Sequence, residues 1–310
     1  MVGVTSAHSV RNAALGTLAG GAVAGAGLLG YALWEAQSFR LREVSVPLLA
    51  AGQDPLRILH LSDMHLTPRQ RHKQDWVSSL AALEPDLVIG TGDFLGHKDA
   101  VGSVITALGP LLDLPGLFVF GSNDYFAPSI GNPLGYLRGP SDHPRHDRPE
   151  LPWRDLAAAL VACGWTDLSN RRAELKVAGR LIDARGVDDP HIDRDRYELI
   201  AGPFDPAADV RLGVAHAPYL RVLDAMAADG ADLIVAGHTH GGQVCLPGYG
   251  ALVTNCDLDR SRAKGLSKHQ DAWLHVSAGI GTNPYTPIRV ACPPEATLMT
   301  LVPKQVAVGL

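Results

Sequence analysis

The chain has 310 residues, of which 46% are hydrophobic, and this apolar content supports a packed core and excludes a mainly disordered chain. Its 27 Lys and Arg residues stand against 32 Asp and Glu, so the formal net charge of -5 offers no basic surplus for a polyanion, and no nucleic-acid partner is expected. The four cysteines form no C-x-x-C pair, which fits neither a disulfide framework nor a cysteine zinc site. The 13 histidines are the remaining unusual feature of the composition, which contains only 7 Tyr and 6 Phe.

The N-terminal region contains an uncharged stretch from Ala13 to Trp34, bounded by Arg11 and Glu35. A helix of that length can cross the hydrocarbon core of a bilayer, so the sequence predicts a single-pass N-terminal anchor and a cell-membrane location. Two alternatives remain open: a secretory signal peptide that is removed, and a Gly- and Ala-rich leader without a membrane role. The side of the membrane stays undetermined, because Arg11 precedes the stretch whereas Arg40 and Arg42 follow it.

Downstream of this stretch, short apolar runs alternate with amphipathic stretches. The apolar runs predict strands, which lie at residues 56–61, 86–91, 117–120, 210–215 and 233–236. The amphipathic stretches predict helices, which lie at residues 70–83, 101–112, 153–163 and 219–228. Residues 173–177 and 181–186 resemble an antiparallel pair, residues 272–276 and 297–302 close the sheet, and residues 125–152 form a long loop. These elements predict one α/β domain over residues 44–310, after an anchor and linker at residues 1–43.

Potential metal ligands follow five of the predicted strands. They occur in the blocks Asp63-Met64-His65, Gly92-Asp93, Gly121-Ser122-Asn123-Asp124, His216-Ala217 and Gly237-His238-Thr239-His240. Open α/β sheets bind ligands at the carboxyl ends of their strands, and the outer residues of an extended D-x-H or H-x-H segment point the same way. Carboxylate, imidazole and amide donors without thiolates suit Mn, Fe or Zn. One such block alone is commonly a coincidence, but five in succession predict a metal site.

The five blocks resemble the pattern of the calcineurin-like metallophosphoesterases, which reads D-x-H, G-D, G-N-H-D/E, a later His and G-H-x-H. The resemblance covers roughly residues 54–303. It extends to the YkuE-like, membrane-associated bacterial branch, because residues 237–243 read GHTHGGQ and the tail contains PIR at 287–289 and CPPE at 292–295. The resemblance implies an α/β fold in which a sandwich of two mixed β-sheets is flanked by helices, here preceded by the N-terminal transmembrane helix.

The resemblance also implies two divalent metal ions, with Mn, Fe and Zn as the candidates. One ion would be bound by Asp63, His65, Asp93 and His240. The other would be bound by Asp93 as a bridge, by an amide oxygen from the third block, and by His216 and His238. Among the residues of this site, the resemblance assigns catalysis to Asp93, Asn123 and Asp124.

The third block departs from the family pattern. A gapless alignment puts Ser122 at the usual Asn ligand and Asn123 at the usual general-acid His, whereas a one-residue shift puts Asn123 at the ligand position. An amide oxygen is a better donor to a hard cation than a neutral hydroxyl, which favours Asn123. In both alignments the general-acid His is missing, and Gly96 replaces the second Asp of a G-D-x-x-D pattern. General acid catalysis contributes about 10² to 10⁴ in rate, so we expect a preference for good leaving groups, such as pyrophosphate or aryl esters.

These features predict a membrane-tethered hydrolase of phosphoric esters or pyrophosphates that uses a metal-bound hydroxide, in the class of the phosphodiesterases or pyrophosphatases. Lipid-linked or nucleotide-sugar pyrophosphates are the expected substrates, since an anchor would hold the domain at the bilayer. The alternative is a metal-holding binding or scaffold protein that has lost catalysis, which the replacement at Ser122 and Asn123 motivates. The run Asp188-Asp189-Pro190-His191 resembles a loop near the site, in which Gly186 to Asp189 is a candidate substrate contact or an ordinary turn. His60 and His275 are expected to be packing or surface residues.

Overall fold

The computed structural model describes residues 23–129, 148–246 and 248–304. Two mixed sheets of six strands each form its centre. The first contains β1 (Arg40–Leu49), β2 (Leu56–Leu61), β3 (Leu87–Thr91), β4 (Gly116–Val119), β5 (Thr166–Asp167) and β14 (Glu295–Pro303), in the order β1-β14-β2-β3-β4-β5. The second contains β6 (Arg171–Val177), β7 (Arg180–Gly186), β8 (Val210–Val214), β9 (Leu233–Ala236), β12 (Gly265–His269) and β13 (Ala272–Val276), in the order β12-β13-β9-β8-β7-β6. The hairpin of β10 (Cys245–Leu246) and β11 (Gly250–Ala251) lies outside both sheets.

The two sheets pack face to face, and their central strands are buried on both faces. In β2, Leu56 and Ile58 point into the space between the sheets, whereas Leu59 and Leu61 point to the outer face. Strands buried on both faces carry near-continuous apolar runs, which is why β3 begins Leu-Val-Ile and β9 reads Leu-Ile-Val-Ala. His60, which also faces the inner space, is fully buried with its Nδ1 3.0 Å from Nδ1 of His275, as expected for packing residues.

Helices cover the outer faces of both sheets. On the first sheet these are α2 (Arg71–Ser79), α3 (Val101–Leu108) and α5 (Trp153–Ala162), which contribute buried residues such as Val77 and Leu156 to the outer core. On the second sheet α6 (Leu220–Ala228) buries Val222 and Leu223. A short helix, α4 (Ser122–Tyr125), follows β4 directly. The predicted fold, two mixed β-sheets flanked by helices, is confirmed.

Strands β1, β5 and β12, which all lie at the edge of a sheet, are absent from the sequence prediction, as is the β10–β11 hairpin. β1 reads Arg-Leu-Arg-Glu at its start and is exposed there, because only one of its edges pairs with a neighbour. Such a strand has no continuous apolar run and little alternation to reveal it. β1 begins at Arg40, inside the segment that the sequence suggested as a linker, and runs parallel to β14.

The described residues begin with a helix, α1, at residues 23–35. No helix in the described ranges is long and apolar enough to cross a bilayer. The predicted membrane span starts at Ala13, and its residues up to 22 lie outside the described ranges, as do residues 130–147 of the predicted long loop. The end of α1 rests on the body of the domain: Ala32 and Ala36 are buried, and the Arg289 amide donates to the Ala32 carbonyl oxygen at 3.0 Å.

Candidate metal centre

The polar blocks that follow β2, β3, β4, β8 and β9 meet at one end of the sandwich. β2, β3 and β4 are adjacent parallel strands of one sheet, and β8 and β9 are adjacent parallel strands of the other, so their carboxyl ends lie together. A side chain at Gly121 would collide with Asp93 and His216, and a side chain at Gly237 would collide with Asp63. Glycine at these two positions therefore allows the strand ends to approach each other.

Five of the predicted ligands have a strained backbone. Their φ angles lie in the left-handed region: Asp63 (51°), His65 (43°), Asp93 (53°), His238 (69°) and His240 (49°). For a non-glycine residue this conformation costs of order 1 to 3 kcal/mol, and residues that adopt it cluster at functional sites. The packed sheets must hold these five residues in place, which is the behaviour of a preorganised site.

The first cluster of donors consists of Asp63, His65, Asp93 and His240, whose ligand atoms all lie within 4.8 Å of one another. His65 Nε2 is 3.5 Å from Asp93 Oδ2, and His240 Nε2 is 3.5 Å from Asp63 Oδ1. Asp63 Oδ2 accepts a hydrogen bond from the Ser62 hydroxyl at 2.5 Å, while Oδ1 is buried with no hydrogen-bond partner among the described residues. A buried, unpartnered carboxylate oxygen that faces imidazole nitrogens fits a divalent cation.

The two imidazoles of the first cluster are both neutral. Burial lowers the pKa of His65 to about 4 and holds the pKa of His240 well below its ordinary value. His240 Nδ1 is 3.2 Å from the Gly281 carbonyl oxygen, which places its proton on Nδ1 and leaves a lone pair on Nε2. That Nε2 lies 3.2 Å from Nε2 of His65, and the two rings stack with centroids 5.1 Å apart. Neutral rings with converging nitrogens are arranged as ligands.

A second cluster lies around the same carboxylate of Asp93. His216 Nδ1 is 2.6 Å from the Thr91 carbonyl oxygen, which directs Nε2 to Asp93 Oδ2 at 3.6 Å. His238 Nε2 is 3.2 Å from the Asn255 carbonyl oxygen, so its Nδ1 faces inward and lies 3.3 Å from His216 Nε2. Carbonyl oxygens thus contact one imidazole nitrogen of His240, His216 and His238 and leave the other nitrogen facing a donor cluster, a feature typical of metal-binding histidines.

Asn123 joins the second cluster through Asp93. Its backbone N–H donates to Asp93 Oδ1 at 2.7 Å, and its side-chain amide nitrogen is 2.6 Å from Oδ2. Exchange of the amide nitrogen and oxygen by rotation would let the same side chain present its oxygen to a cation. Ser122 is buried beside it at the start of α4. Asn123 thus lies against Asp93 through two nitrogen donors, and its role as a metal ligand stays a prediction.

The charges at the centre depend on its carboxylates. Burial opposes ionisation of Asp93, but His216 and His65 outweigh it and hold the pKa of Asp93 below its ordinary range. Burial likewise lowers the pKa of His216, yet Asp93 and the buried Asp189 outweigh it, so the pKa of His216 rises to about 9. Burial raises the pKa of Asp63 to about 6. A cation bound at His216 must therefore displace a proton below about pH 9.

Asp124 lies behind the clusters and has no solvent exposure. Its carboxylate accepts the backbone N–H groups of Asp93 at 2.8 Å, Leu95 at 2.9 Å and Gly121 at 3.0 Å. Burial and Asp93 raise the pKa of Asp124 to about 8, against the backbone donors, which lower it. These contacts tie the turn after β3 to the turn after β4. Asp124 therefore holds these two turns together, and the catalytic role that the resemblance implied stays a prediction.

Two residues beside the second cluster lie in the irregular segment that follows β7. The His191 ring is 4.4 Å from the His238 ring, centroid to centroid, and its Nδ1 is 3.0 Å from the Tyr219 hydroxyl. Asp189 is fully buried and acts electrostatically on His216. Both residues belong to the run at residues 188–191, which the sequence indicated as a loop near the site or an ordinary turn.

Arg289 supports the first cluster from behind, and the sequence indicated it only as part of the PIR motif. The guanidinium is fully buried and donates to the carbonyl oxygens of Ala278 at 2.7 Å, Gly279 at 3.0 Å and Gly281 at 2.7 Å. Gly281 is the residue whose carbonyl oxygen orients His240. Arg289 thus holds the loop that fixes the tautomer of a candidate ligand.

The residues near the missing second Asp of the G-D-x-x-D pattern point away from the centre. His97 and Asp99 are exposed and pair with each other at 3.6 Å. A side chain at Gly96 would collide with the backbone of His65. No carboxylate side chain fits at position 96, because the backbone of His65 occupies that space. The packing therefore requires this departure from the family pattern.

The calcineurin-like phosphoesterase family profile matches residues 56–242, a range that includes every predicted ligand. The chain belongs to the calcineurin-like phosphoesterase family. Among its relatives, the metallophosphoesterase YkuE of Bacillus subtilis (strain 168) is 26% identical over 296 residues, which cover 92% of this chain and 94% of YkuE. The metallophosphoesterase YkoQ of the same organism is 28% identical over 248 residues, 78% of this chain and 82% of YkoQ. The phosphodiesterase YaeI of Escherichia coli (strain K12) is 25% identical over 260 residues, 80% of this chain and 83% of YaeI.

Calcineurin-like phosphoesterases are hydrolases that use divalent metals, and this phosphoesterase has a cluster that suits one. Asp63, His65, Asp93 and His240 present two carboxylates and two neutral imidazoles to a common point. This is the donor chemistry expected of Mn, Fe or Zn. The family recognised from the five sequence blocks is thereby confirmed, whereas the membrane-associated branch stays a prediction.

Proposed function

We propose that this protein hydrolyses phosphoric esters or pyrophosphates with a binuclear metal centre. The observation that carries the proposal is the position of Asp93 between the two donor clusters. Its Oδ2 is 3.5 Å from His65 Nε2 on one side and 3.6 Å from His216 Nε2 on the other. A carboxylate within reach of two separate sets of ligands suits a bridge between two cations.

Two divalent ions would be held on the two sides of this carboxylate. Asp63, His65 and His240 would complete one site, and Asn123, His216 and His238 would complete the other. When bound, such a pair of ions activates water as a nucleophile near neutral pH and stabilises the attacking and leaving oxygens of an in-line displacement. The strained backbones of these residues and the carbonyl oxygens that orient their imidazoles hold the donors ready for both ions.

The chain supplies no histidine in the third block to protonate a leaving group. Asn123 stands there, and a carboxamide cannot give up a proton to an alkoxide. We infer that the enzyme favours substrates whose leaving groups are already stable as anions, which points to pyrophosphates and activated phosphodiesters.

We further infer that the stretch beginning at Ala13 tethers the enzyme to the cell membrane as a single N-terminal pass. Its lack of charge supports this, and so does α1, where Leu28 is 58% exposed and Leu29 is 54% exposed. An enzyme held at a bilayer meets amphiphilic phosphates at high local concentration. Lipid-linked and nucleotide-sugar pyrophosphates are therefore the proposed substrates.

The test uses the full-length protein in detergent, loaded with Mn²⁺ and supplied with a chromogenic bis-aryl phosphate. We expect two ions per chain by elemental analysis, with turnover, and the loss of both in Asp93→Asn. Asp99→Asn is the matched control, because the Asp99 side chain is 61% exposed and lies outside the centre. One ion per chain with full activity would refute the binuclear proposal.

The scaffold alternative makes a different prediction in the same assay. A metal-holding binding protein would keep its ions but show no turnover above Asp93→Asn with aryl, lipid-linked or nucleotide-sugar substrates. The Asn123 side chain lies in close contact with Asp93, so an amide remains available beside the bridging carboxylate despite the replacement in the third block. This contact argues against the scaffold alternative.

A further inference from the structure

Exposed large apolar side chains are concentrated on one part of the described surface. They are Val23, Leu28, Leu29, Tyr31, Leu33, Trp34, Leu41, Leu246, Tyr249, Tyr285, Val161 and Leu199. Most belong to α1 and the start of β1, three belong to the β10–β11 hairpin and the loop at residues 282–288, and only Val161 and Leu199 lie elsewhere. Contiguous exposed apolar surface of this kind marks a protein or membrane contact.

Backbone hydrogen bonds connect α1 to the hairpin. The Arg289 amide donates to the Ala32 carbonyl oxygen at 3.0 Å, near the end of α1. The next residue, Val290, donates to the Gln243 carbonyl oxygen at 3.0 Å and accepts from the Cys245 amide at 2.8 Å. Residues 289–290 therefore lie between α1 and the hairpin, and the exposed residues of both segments belong to the same side of the molecule.

The loop at residues 282–288 rests on the same turn. The Gln243 side chain donates to the carbonyl oxygens of Thr286 at 3.2 Å and Ile288 at 3.0 Å. This loop begins directly after Gly281, whose carbonyl oxygen orients His240. We call Leu246, Tyr249 and Tyr285, which are 49%, 54% and 56% exposed, the apolar rim. Leu246 lies six residues after His240 and Tyr285 lies four residues after Gly281, so short stretches of chain connect the apolar rim to the first donor cluster.

The chemistry of the apolar rim matches the headgroup region of a bilayer. The Arg260 guanidinium lies over the Tyr249 ring, 3.9 Å from its centroid. Behind the hairpin, a cavity of about 370 Å³ is lined by Leu246, Arg260 and Lys264, among others. Aromatic rings beside basic side chains are favoured where lipid tails meet anionic headgroups, since the rings tolerate both environments and the cations attract phosphate.

We propose that the apolar rim and the C-terminal end of α1, with the exposed Tyr31 and Trp34, rest in the headgroup region of a lipid bilayer, so that the metal centre opens at the membrane surface. The occupant of this surface is the bilayer, because α1 continues an uncharged sequence that begins at Ala13, and residues 289–290 hydrogen-bond the end of α1 to the hairpin that carries the rim. The contact with lipid rests on the membrane tether of the proposed function, and the choice of phosphoesters of membrane lipids as substrates rests on its hydrolase activity.

The first test locates the rim in full-length protein reconstituted into nanodiscs of zwitterionic and anionic lipid. Cys163 is exposed and the other three cysteines are buried, so a Cys163→Ser background accepts a single fluorescent label. The label is placed through Leu246→Cys or Tyr285→Cys, with Val161→Cys and Leu199→Cys as controls that are also apolar and exposed. We expect a quencher attached to lipid tails to reduce fluorescence at the rim but not at the controls, and aqueous iodide to do the reverse.

Two outcomes would overturn the proposal. Equal quenching of rim and control positions by iodide would show that the rim faces water. Protection of the rim from both quenchers would indicate a protein partner or a second copy of this chain in place of lipid.

The second test separates lipid contact from chemistry. Tyr249→Asp combined with Tyr285→Asp puts two charges into the rim without touching a candidate ligand. We expect kcat/KM for a phospholipid diester in vesicles to fall by about tenfold, since charged side chains are strongly disfavoured there, with an unchanged rate on a soluble bis-aryl phosphate. Equal rates of the variant and the parent on vesicles would contradict the proposal. If lipid quenches the rim but no substrate is hydrolysed, the proposed function fails and the membrane contact stands.

Discussion

The two halves of the metal centre share Asp93 but differ in charge. In one half, burial keeps His65 and His240 neutral, with the pKa of His65 lowered to about 4. In the other half, burial also lowers the pKa of His216, but Asp93 and Asp189 outweigh it and raise that pKa to about 9. Burial holds the pKa of His238, in the same half, well below its ordinary value, so His216 is the one of the four candidate ligand histidines whose pKa is raised. Because carboxylates near His216 cause this, the two halves should take up cations differently.

Removing one imidazole from either half is expected to have the largest effect. His65→Ala leaves the second half intact and His216→Ala leaves the first, so each variant should bind a single ion. Turnover of a bis-aryl phosphate should fall by about 10³, the order of loss seen when a main electrostatic contact to the transition state is removed. Elemental analysis and kcat together check this, with the exposed His97→Ala as control. A variant that retains two ions would show that its half is wrongly assigned.

The second half also lacks a general acid, which should make the rate sensitive to the leaving group. Across a series from 4-nitrophenyl to alkyl diesters, kcat/KM should fall by about 10² or more beyond the fall for a relative with a general-acid His in the third block. If the rate instead depended on the leaving group as weakly as it does in such a relative, another residue would donate the proton. His191 would be the first candidate.

Metal uptake should depend on pH in the second half only. The pKa of His216 is raised, so the protonated ring dominates below about pH 9 and the cation must displace that proton. Affinity for the second ion should therefore rise about tenfold from pH 7 to pH 8, while affinity for the first changes little, because Asp63 with a pKa of about 6 and His65 with a pKa of about 4 have already lost their protons. Calorimetry in buffers of different ionisation enthalpy counts the protons released. If the binding of both ions released a proton, or if the binding of neither did, the proposed difference in charge between the two halves would be wrong.

The smallest expected effect concerns Lys73, which is buried beneath the first half and donates to the Met64 carbonyl oxygen at 2.8 Å. Burial lowers its pKa from 10.5 to about 7. Between those values the unfolded chain binds more protons here than the folded chain, so the free energy of unfolding should rise with pH, by up to about 1.4 kcal/mol per unit. Lys73→Met should flatten this rise in denaturation experiments on the metal-free protein. An unchanged slope would show that Lys73 stays charged in the fold.

Much of the fold was predictable because its central strands are buried on both faces. Burial on both sides demands continuous apolar residues, and such runs in β2, β3, β8 and β9 stand out in any sequence. The edge strands β1 and β12 were not predictable, since one of their edges faces no partner and their side chains are largely exposed. The polar residues after the central strands had no reason to be there for packing, which is why they indicated a site.

The sequence by itself determined which donor atoms this protein has and that they follow the ends of adjacent strands, because local periodicity sets where a strand stops. It also determined the family. Only the tertiary structure decided that Asn123 contacts Asp93, that Asp124 binds backbone amides, and that residues 289–290 hydrogen-bond to both α1 and the β10–β11 hairpin. Those outcomes depend on distances between residues far apart in the chain, and on burial, which sets the charge of each group through its neighbours. No local pattern of residues contains that information.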